Sequence, residues 1–348
     1  MNSEIGSDME LIATNFLLKT AASPPWEDGS KIAYVETGRQ ALQLISDLLW
    51  DSGQRTLLLP SFLCESMLSP FQGRDWDFQF VEMNPDLTLS LDSLRAIAAA
   101  VDGNFVALVA LYFGRVPDSE FVQAILELQS LGGVVIDDET HRVLSPGRSR
   151  ADISIASLRK TLPVGDGAYL RGKIGDLASR VFPARQNGRW EAMRAKSDSM
   201  VGGDSAASKA FFRDANSVLD ASRTAHAPDM RTLESLRTFD YEQLAQARVR
   251  NAAVLARILD GEKSIRIVNK PTPGSVPSHL VVEVHDPQLM QESMAASGVF
   301  CPIHWPRPSM LEPEIPWQSN ILSIPIDHRY TPEQMTDVGR ALLSVTKS

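Results

Sequence analysis

Cysteine is scarce in this sequence, which excludes the folds that depend on it. The 348 residues include two cysteines, Cys64 and Cys301, and no Cys-x-x-Cys pair. A zinc ribbon or a disulfide framework is therefore excluded, and we predict no metal site. A chain of this length buries enough apolar surface to fold without either device, as about two domains or one large α/β unit.

Positive charge and long apolar runs are also limited. Lysine and arginine number 34 against 43 aspartates and glutamates, which gives a net charge of −9. An acidic chain without a basic tract is a poor partner for nucleic acid or anionic lipid. The longest apolar stretch, residues 105–113, is too short to span a bilayer, and the first residues lack the positive region of a signal peptide. We therefore predict a cytoplasmic protein that binds small molecules, not nucleic acid or membrane.

Strand-like and helix-like segments alternate along the first half of the chain. Amphipathic segments with apolar residues at helical spacing lie between short apolar segments. Such alternation predicts the α/β class, with a mostly parallel sheet and helices on both of its faces. The predicted strands are residues 32–35, 56–59, 78–83, 105–113, 134–136, 151–157 and 167–171.

The last third of the chain predicts a second, smaller α+β domain. A long helix at residues 241–259 precedes three strand-like segments and two further helices. We place a large domain at 25–235 and the small domain at 236–348, with an N-terminal helix in 1–24 that packs on the small domain. The small-domain strands are predicted at 280–284, 299–303 and 321–324, and its later helices at 288–297 and 332–345.

Two predicted strands are followed by residues that can carry chemistry. Asp137 and Asp138 end a buried strand and His141 follows them, at the edge where open α/β sheets bind ligands. Lys160 follows another strand, and burial there would lower its pKa and make it nucleophilic. Ser157, three residues before the lysine, can bind a phosphate. Taken alone, either aspartate is equally consistent with a helix cap, and the lysine with a solvated loop.

Two earlier turns complete the pattern. Gly38, Arg39 and Gln40 open a helix whose first N–H groups suit a phosphate, although a plain strand-to-helix turn looks the same. Phe62 ends the next strand, where an aromatic can stack on a planar ligand, although such a residue is more often core. In this order, a phosphate turn, an aromatic, an acid and a Ser-x-x-Lys predict a pocket for pyridoxal phosphate.

The sequence resembles the DegT/StrS family of sugar aminotransferases over residues 30–345. The resemblance implies a fold-type I pyridoxal-phosphate transferase, with a mostly parallel seven-stranded sheet between helices and a smaller C-terminal α+β domain. The blocks that carry it are GRQAL at 38–42, LPSF at 59–62, LYFG at 111–114, IDDETH at 136–141, GDG at 165–167, HWP at 304–306 and ILSIP at 321–325.

The resemblance also implies roles for the cofactor ligands. Asp138 would face the pyridine nitrogen, His141 would approach the phenolic oxygen, and Lys160 would bind the aldehyde. The phosphate would be bound by the turn at residues 38–40 and by a serine.

Two assignments stay open at this point. Ser157 and Ser154 compete for the role of phosphate ligand, because the spacing of the family's serine and lysine differs from the spacing found here. The family's stacking aromatic often falls where Cys64 stands, so either Phe62 takes that role or the stack is weaker.

The activity implied is transfer of an amino group from an amino acid to a keto compound, such as a keto-sugar nucleotide or a secondary-metabolite precursor. The resemblance also implies a homodimer. A lyase, dehydratase or cyclase on the same scaffold is the first alternative. A non-catalytic binding or regulatory protein is the second, and the presence of both Asp138 and Lys160 argues against it.

Overall fold

The largest element of the fold is a seven-stranded sheet. The computed structural model describes residues 4–11, 23–101, 104–145, 147–202 and 205–346. The strand order is β1-β7-β6-β5-β4-β2-β3, and β7 alone runs antiparallel to its neighbours, as the sequence predicted for a mostly parallel sheet. The strands are β1 (Ile32–Val35), β2 (Thr56–Pro60), β3 (Asp77–Val81), β4 (Phe105–Ala110), β5 (Val134–Asp138), β6 (Ile153–Ser157) and β7 (Ala168–Gly172).

Helices cover both faces of this sheet. Strand β4 is buried at all six positions because neither of its faces meets water. Leu57 and Leu59 of β2 pack on the face of helix α1, while Leu58 between them packs on the opposite face. The helices of this part are α1 (Gly38–Asp51), the short α2 (Glu65–Leu68), α3 (Leu91–Ala100) and α4 (Ser119–Ser130).

Three helices connect the large sheet to the rest of the chain. They are α5 (Arg189–Met200), α6 (Ser205–Ala221) and α7 (Met230–Leu236). Helices α5 and α6 lie side by side, and Trp190, Met193 and Phe212 bury their side chains in a core shared with β6 and β7.

The last part of the chain forms a separate antiparallel sheet with its own core. The sheet order is β10-β9-β8, and α8 and α10 pack together beside it. Its elements are α8 (Tyr241–Leu259), β8 (Arg266–Ile267), β9 (His279–Glu283), α9 (Pro287–Ala296), β10 (Ile321–Pro325) and α10 (Pro332–Val345). The boundaries predicted at residues 25 and 236 stay predictions. Among the described residues, no helix is long and apolar enough to cross a membrane.

Two segments beside this sheet, residues 299–303 and the N-terminal residues, were predicted to be a strand and a helix. The strand predicted at 299–303 is wrong: Val299 makes a single bridge to Ile5, and Pro302 has no N–H with which to continue a ladder. The predicted N-terminal helix lies largely outside the described residues. The described part that precedes it packs on the small sheet, because Ile5 is buried in that core and the Gly6 N–H donates to the Tyr330 hydroxyl.

Candidate active site

A cleft of about 730 Å³ opens at the carboxyl ends of the parallel strands. Residues that follow β1, β2, β4, β5 and β6 form its floor and walls. A segment just before β10, which contains His304 and Trp305, closes it from the other side. The cleft therefore joins the large sheet to the smaller one.

Asp138 presents its carboxylate to the cleft from the end of β5. It accepts a hydrogen bond from the Thr140 N–H at 2.9 Å, and burial raises its pKa to about 6. Its neighbour Asp137 points to the other face of the sheet, because side chains alternate along a strand, and forms a buried ion pair with Arg142. Asp138 is thus free to face a ligand, while Asp137 is used in packing.

Lys160 projects into the same cleft from a single helical turn that follows β6. The positive charge of the adjacent Arg159, followed by burial, lowers the pKa of the Lys160 amine to about 8. The side chain remains open to the cleft although it lies deep within it. An amine with this pKa is partly unprotonated near neutral pH, as a nucleophile or a base requires.

The start of α1 forms the opposite end of the cleft. The Thr37 hydroxyl caps the helix by accepting from the Gln40 N–H at 3.2 Å. A Cβ atom added to Gly38 would lie 3.2 Å from the Cβ of Ser157, so this glycine lets the serine approach the helix N-terminus closely. Arg39 also lines the cleft and pairs with Asp220 at 3.2 Å.

Ser154 and the side chain of Gln40 lie outside the cleft, which corrects the predicted contact of Ser154 and leaves Gln40 only its backbone N–H, which donates to the Thr37 hydroxyl. Ser154 lies three positions before Ser157 on β6 and therefore faces the opposite side of the sheet. The Gln40 amide is buried, where it donates to Glu36 at 2.8 Å and accepts from the His226 N–H at 3.1 Å. Of the two serines, Ser157 is the one that can reach a ligand here.

Phe62 is also outside the cleft. Its side chain is 1% exposed and packs on Trp317 and Trp305, with ring centroids 4.7 and 5.3 Å away. The cleft wall at this point is made by Cys64, whose thiol lies 2.9 Å from the Ser66 hydroxyl. The prediction that Phe62 stacks on a ligand ring is thereby corrected, because the core takes this ring.

His141 stands on the floor of the cleft as a neutral ring. Its Nδ1 accepts a hydrogen bond from the Phe113 N–H at 3.3 Å, so its proton is assigned to Nε2. Burial, together with the charges of His304 and Lys160, holds the pKa of His141 well below its ordinary value. The ring also packs against Trp305 at 5.6 Å, with the planes 32° apart.

Some cleft residues were missed by the sequence analysis. Tyr112, His279 and His304 bring further rings to the cleft, and burial lowers the pKa of His304 to about 4. Arg159 lines it beside Lys160, and its place in the Ser-x-x-Lys motif was the signal for it.

Comparison with known proteins shows which of them this chain is similar to in fold. No family profile matches the chain, and no curated protein is similar to it in sequence. A sugar aminotransferase from Micromonospora echinospora is 15% identical, with 99% of this chain aligned to 100% of that chain at a TM-score of 0.65. The chain has the sugar aminotransferase fold. This confirms, for the fold, the resemblance found in the sequence.

Two further structures agree with this assignment. A DegT/DnrJ/EryC1/StrS aminotransferase from Brucella abortus is 16% identical, with 96% of this chain aligned to 92% of that chain at a TM-score of 0.62. A protein from Streptococcus pneumoniae, solved in a PLP form, is 14% identical, with coverages of 97% and 94% and a TM-score of 0.65. At these identities the likeness establishes the fold.

The residues of the cleft fit pyridoxal phosphate. Lys160 would hold the aldehyde, and Asp138 would pair with a protonated ring nitrogen, which is the kind of partner that a desolvated carboxylate needs. Gly38 and Ser157 form a cradle for a phosphate at the N-terminus of α1. The stacking aromatic of the predicted pattern is absent from its expected position, where Cys64 stands instead.

Proposed function

We propose that this protein is a pyridoxal-phosphate-dependent aminotransferase that transfers an amino group from an amino acid to a keto compound. The observation that carries the proposal is that Asp138 and Lys160 face one cleft, with a helix N-terminus at its end. The fold supports it, since the chain shares the fold of sugar aminotransferases. Related folds have been solved in PLP and PMP forms.

Asp138, Lys160 and His141 each have a task in the proposed reaction. Bound pyridoxal phosphate would supply an electron sink for negative charge that develops on the substrate carbon. Asp138 keeps a proton on the ring nitrogen. The Nζ atom of Lys160 removes and returns a proton at the substrate carbon, which its lowered pKa favours. His141, whose Nδ1 accepts from the Phe113 N–H, would have its Nε2 proton available for the ring oxygen.

The acceptor and the cellular setting are part of the same proposal. Several proteins of similar fold are sugar aminotransferases, so we propose a keto-sugar nucleotide or a related biosynthetic precursor as the acceptor. We also propose a cytoplasmic homodimer. The rings of Tyr112 and Trp305 along the cleft support a sugar, since aromatic faces pack well on apolar patches of such ligands.

The test is a spectroscopic one. The purified protein is loaded with pyridoxal phosphate, its visible absorbance is recorded, and L-glutamate is added in excess. We expect a visible band that glutamate removes, with 2-oxoglutarate formed in equal amount. Lys160→Ala should lose the band, because no amine remains to bind the aldehyde.

Two variants distinguish a loss of catalysis from a loss of stability. Asp138→Asn should bind the cofactor yet lose at least about 100-fold in amino transfer, because an amide cannot hold the ring-nitrogen proton. Asp137→Asn, one position away, should instead lower the melting temperature, because it removes one of the two carboxylates that pair with the buried Arg142; the other is Glu139. A protein that binds the cofactor and releases water or ammonia, but transfers no amino group, would support the lyase or dehydratase alternative.

A further inference from the structure

Arg159 is a cleft cation without a partner among the residues that the structure describes. It lies between Leu158 and Lys160 on the short helical turn after β6, and it lines the cleft. Its Nε atom is shielded from water and makes no hydrogen bond to any described residue. Within the described part of the chain, no carboxylate comes within ion-pair distance of its guanidinium.

The other arginines around the cleft are engaged. Arg39 pairs with Asp220 at 3.2 Å, and Arg307 donates to the Glu312 carbonyl. Arg189, which lies behind the cleft, donates to the Gly165 carbonyl at 3.2 Å and to the Asn216 side chain at 2.9 Å. The difference matters because a partly buried guanidinium that lacks a partner costs free energy that an anionic ligand would offset.

The position of Arg159 selects the end of the cleft where an anion would bind. Ser157, two residues earlier, adjoins Gly38 and the start of α1. Gly38 and Arg39 supply the first two N–H groups of that helix and line the cleft, while the next N–H, that of Gln40, donates to the Thr37 hydroxyl. Arg39 and Asp220, which pair with each other, also line this cleft, and the charges of both act on Arg159, that of Asp220 more strongly.

We propose that Arg159 binds the phosphate of the cofactor, together with Ser157 and the N-terminus of α1. The inference rests on the proposed function, because it assigns the ligand of that same cleft. A phosphate monoester carries close to two negative charges at neutral pH, which one guanidinium and one helix N-terminus balance. A guanidinium binds phosphate oxygens through two N–H groups at once, a geometry that lysine lacks.

The experiment compares two ligands that differ only in the phosphate. Dissociation constants for pyridoxal phosphate and for pyridoxal are measured by calorimetry on the wild type, Arg159→Gln and Arg159→Lys. For Arg159→Gln we expect pyridoxal phosphate to bind about 10- to 100-fold more weakly, as for loss of a charged hydrogen bond, and pyridoxal to bind within about twofold of wild type. Arg159→Lys should fall between the two.

A control variant and a third ligand complete the design. Arg213→Gln removes an exposed arginine from α6 and should leave both constants unchanged. Inorganic phosphate should compete with pyridoxal phosphate on the wild type, and at least tenfold less well on Arg159→Gln. Circular dichroism confirms that each variant is folded, and Arg159→Lys carries the test if Arg159→Gln is not.

Two outcomes would overturn the inference in distinguishable ways. In the first, wild type binds pyridoxal phosphate, and Arg159→Gln either reduces the affinity for pyridoxal phosphate and for pyridoxal equally or changes neither affinity. Arg159 then does not bind the phosphate, while the proposed function stands. If wild type binds neither pyridoxal phosphate nor pyridoxal, the proposed function itself fails.

Discussion

The Lys160 amine owes its lowered pKa to one adjacent residue more than to burial. The positive charge of Arg159 acts on it first and desolvation second, while Cys64 and Asp220 act in the opposite direction and Arg189 adds a smaller positive charge. Two cations side by side disfavour the protonated lysine, because each raises the free energy of the other. Lys160 is therefore partly unprotonated, and so nucleophilic, before any ligand is bound.

A pH profile tests this account of Lys160. The rate of its reaction with pyridoxal, which lacks the phosphate, should rise with pH through a midpoint of about 8. Arg159→Gln removes the repulsion between the Arg159 guanidinium and the protonated Lys160 amine. The pKa of Lys160 should therefore rise, and the midpoint should move to higher pH. Arg159→Lys keeps the charge and should retain the wild-type midpoint. An unchanged midpoint in Arg159→Gln would show that burial alone sets this pKa.

Single residues were also where the sequence was least informative. Asp138 could be distinguished from Asp137 only through the resemblance, because both follow the predicted strand. Phe62 could not be distinguished from Cys64 as a cleft residue, because both follow one strand and Phe62 is buried against Trp317, about 250 positions later in the chain. Contacts between distant segments leave no local pattern.

At the scale of elements, α1 connects folding to ligand binding. Its cap, Thr37, fixes the start of the helix and also lines the cleft. Helix α10 begins with a comparable cap, Thr331, which forms a capping box with Gln334 far from the cleft. The two threonines therefore have the same local role in different surroundings.

These caps provide a matched pair of substitutions. Thr37→Ala and Thr331→Ala should each lower the free energy of unfolding by about 1 kcal/mol, because each exposes an unpaired helix N–H group. Of the two variants, Thr37→Ala alone should weaken the binding of pyridoxal phosphate, since α1 begins at the cleft and α10 does not. Urea denaturation and calorimetric titration measure the two effects. Equal loss of affinity in both variants would mean that stability, not position, governs binding.

The elements could be predicted where the pattern is local. Helices α8 and α10 begin and end where apolar spacing and caps indicated, and the seven strands of the large sheet fall within a few residues of their predicted positions. Ser154 was not excluded as a ligand from the sequence. Alternation along the strand shows that Ser154 and Ser157 face opposite sides of the sheet, but it does not show which side faces the cleft. The segment after Val299 read as a strand, although Pro302 prevents one.

For the whole molecule, the cleft depends on both sheets. Lys160 and Asp138 come from the large sheet, while His304 and Trp305 come from a segment that enters the small one. The N–H of Ser323 in β10 donates to the Pro302 carbonyl, and its hydroxyl lies 2.7 Å from His304 Nδ1, so the small sheet orients that segment. Ligand binding should therefore stabilise both parts together.

Exposed apolar side chains on α6 support the proposed dimer. Phe211 and Val218, one heptad apart on this helix, are 52% and 40% exposed, while Asn216 and Asp220 of the same helix line the cleft. Val201, just before α6, is 83% exposed. An exposed apolar face next to a cofactor cleft is suited to a symmetric contact with a second copy, which the resemblance also implies.

Light scattering at micromolar concentration should give twice the chain mass of 38.3 kDa. Phe211→Glu places a charge in the apolar contact and should shift the protein toward the monomer, because a buried unpaired carboxylate is costly. It should also weaken pyridoxal phosphate binding, since α6 forms one wall of the cleft. Leu289→Glu changes a side chain of similar exposure on α9, in the small sheet's half, and should leave a dimer. A wild-type monomer would refute the proposed dimer, while a dimer in both variants would move the interface to another face.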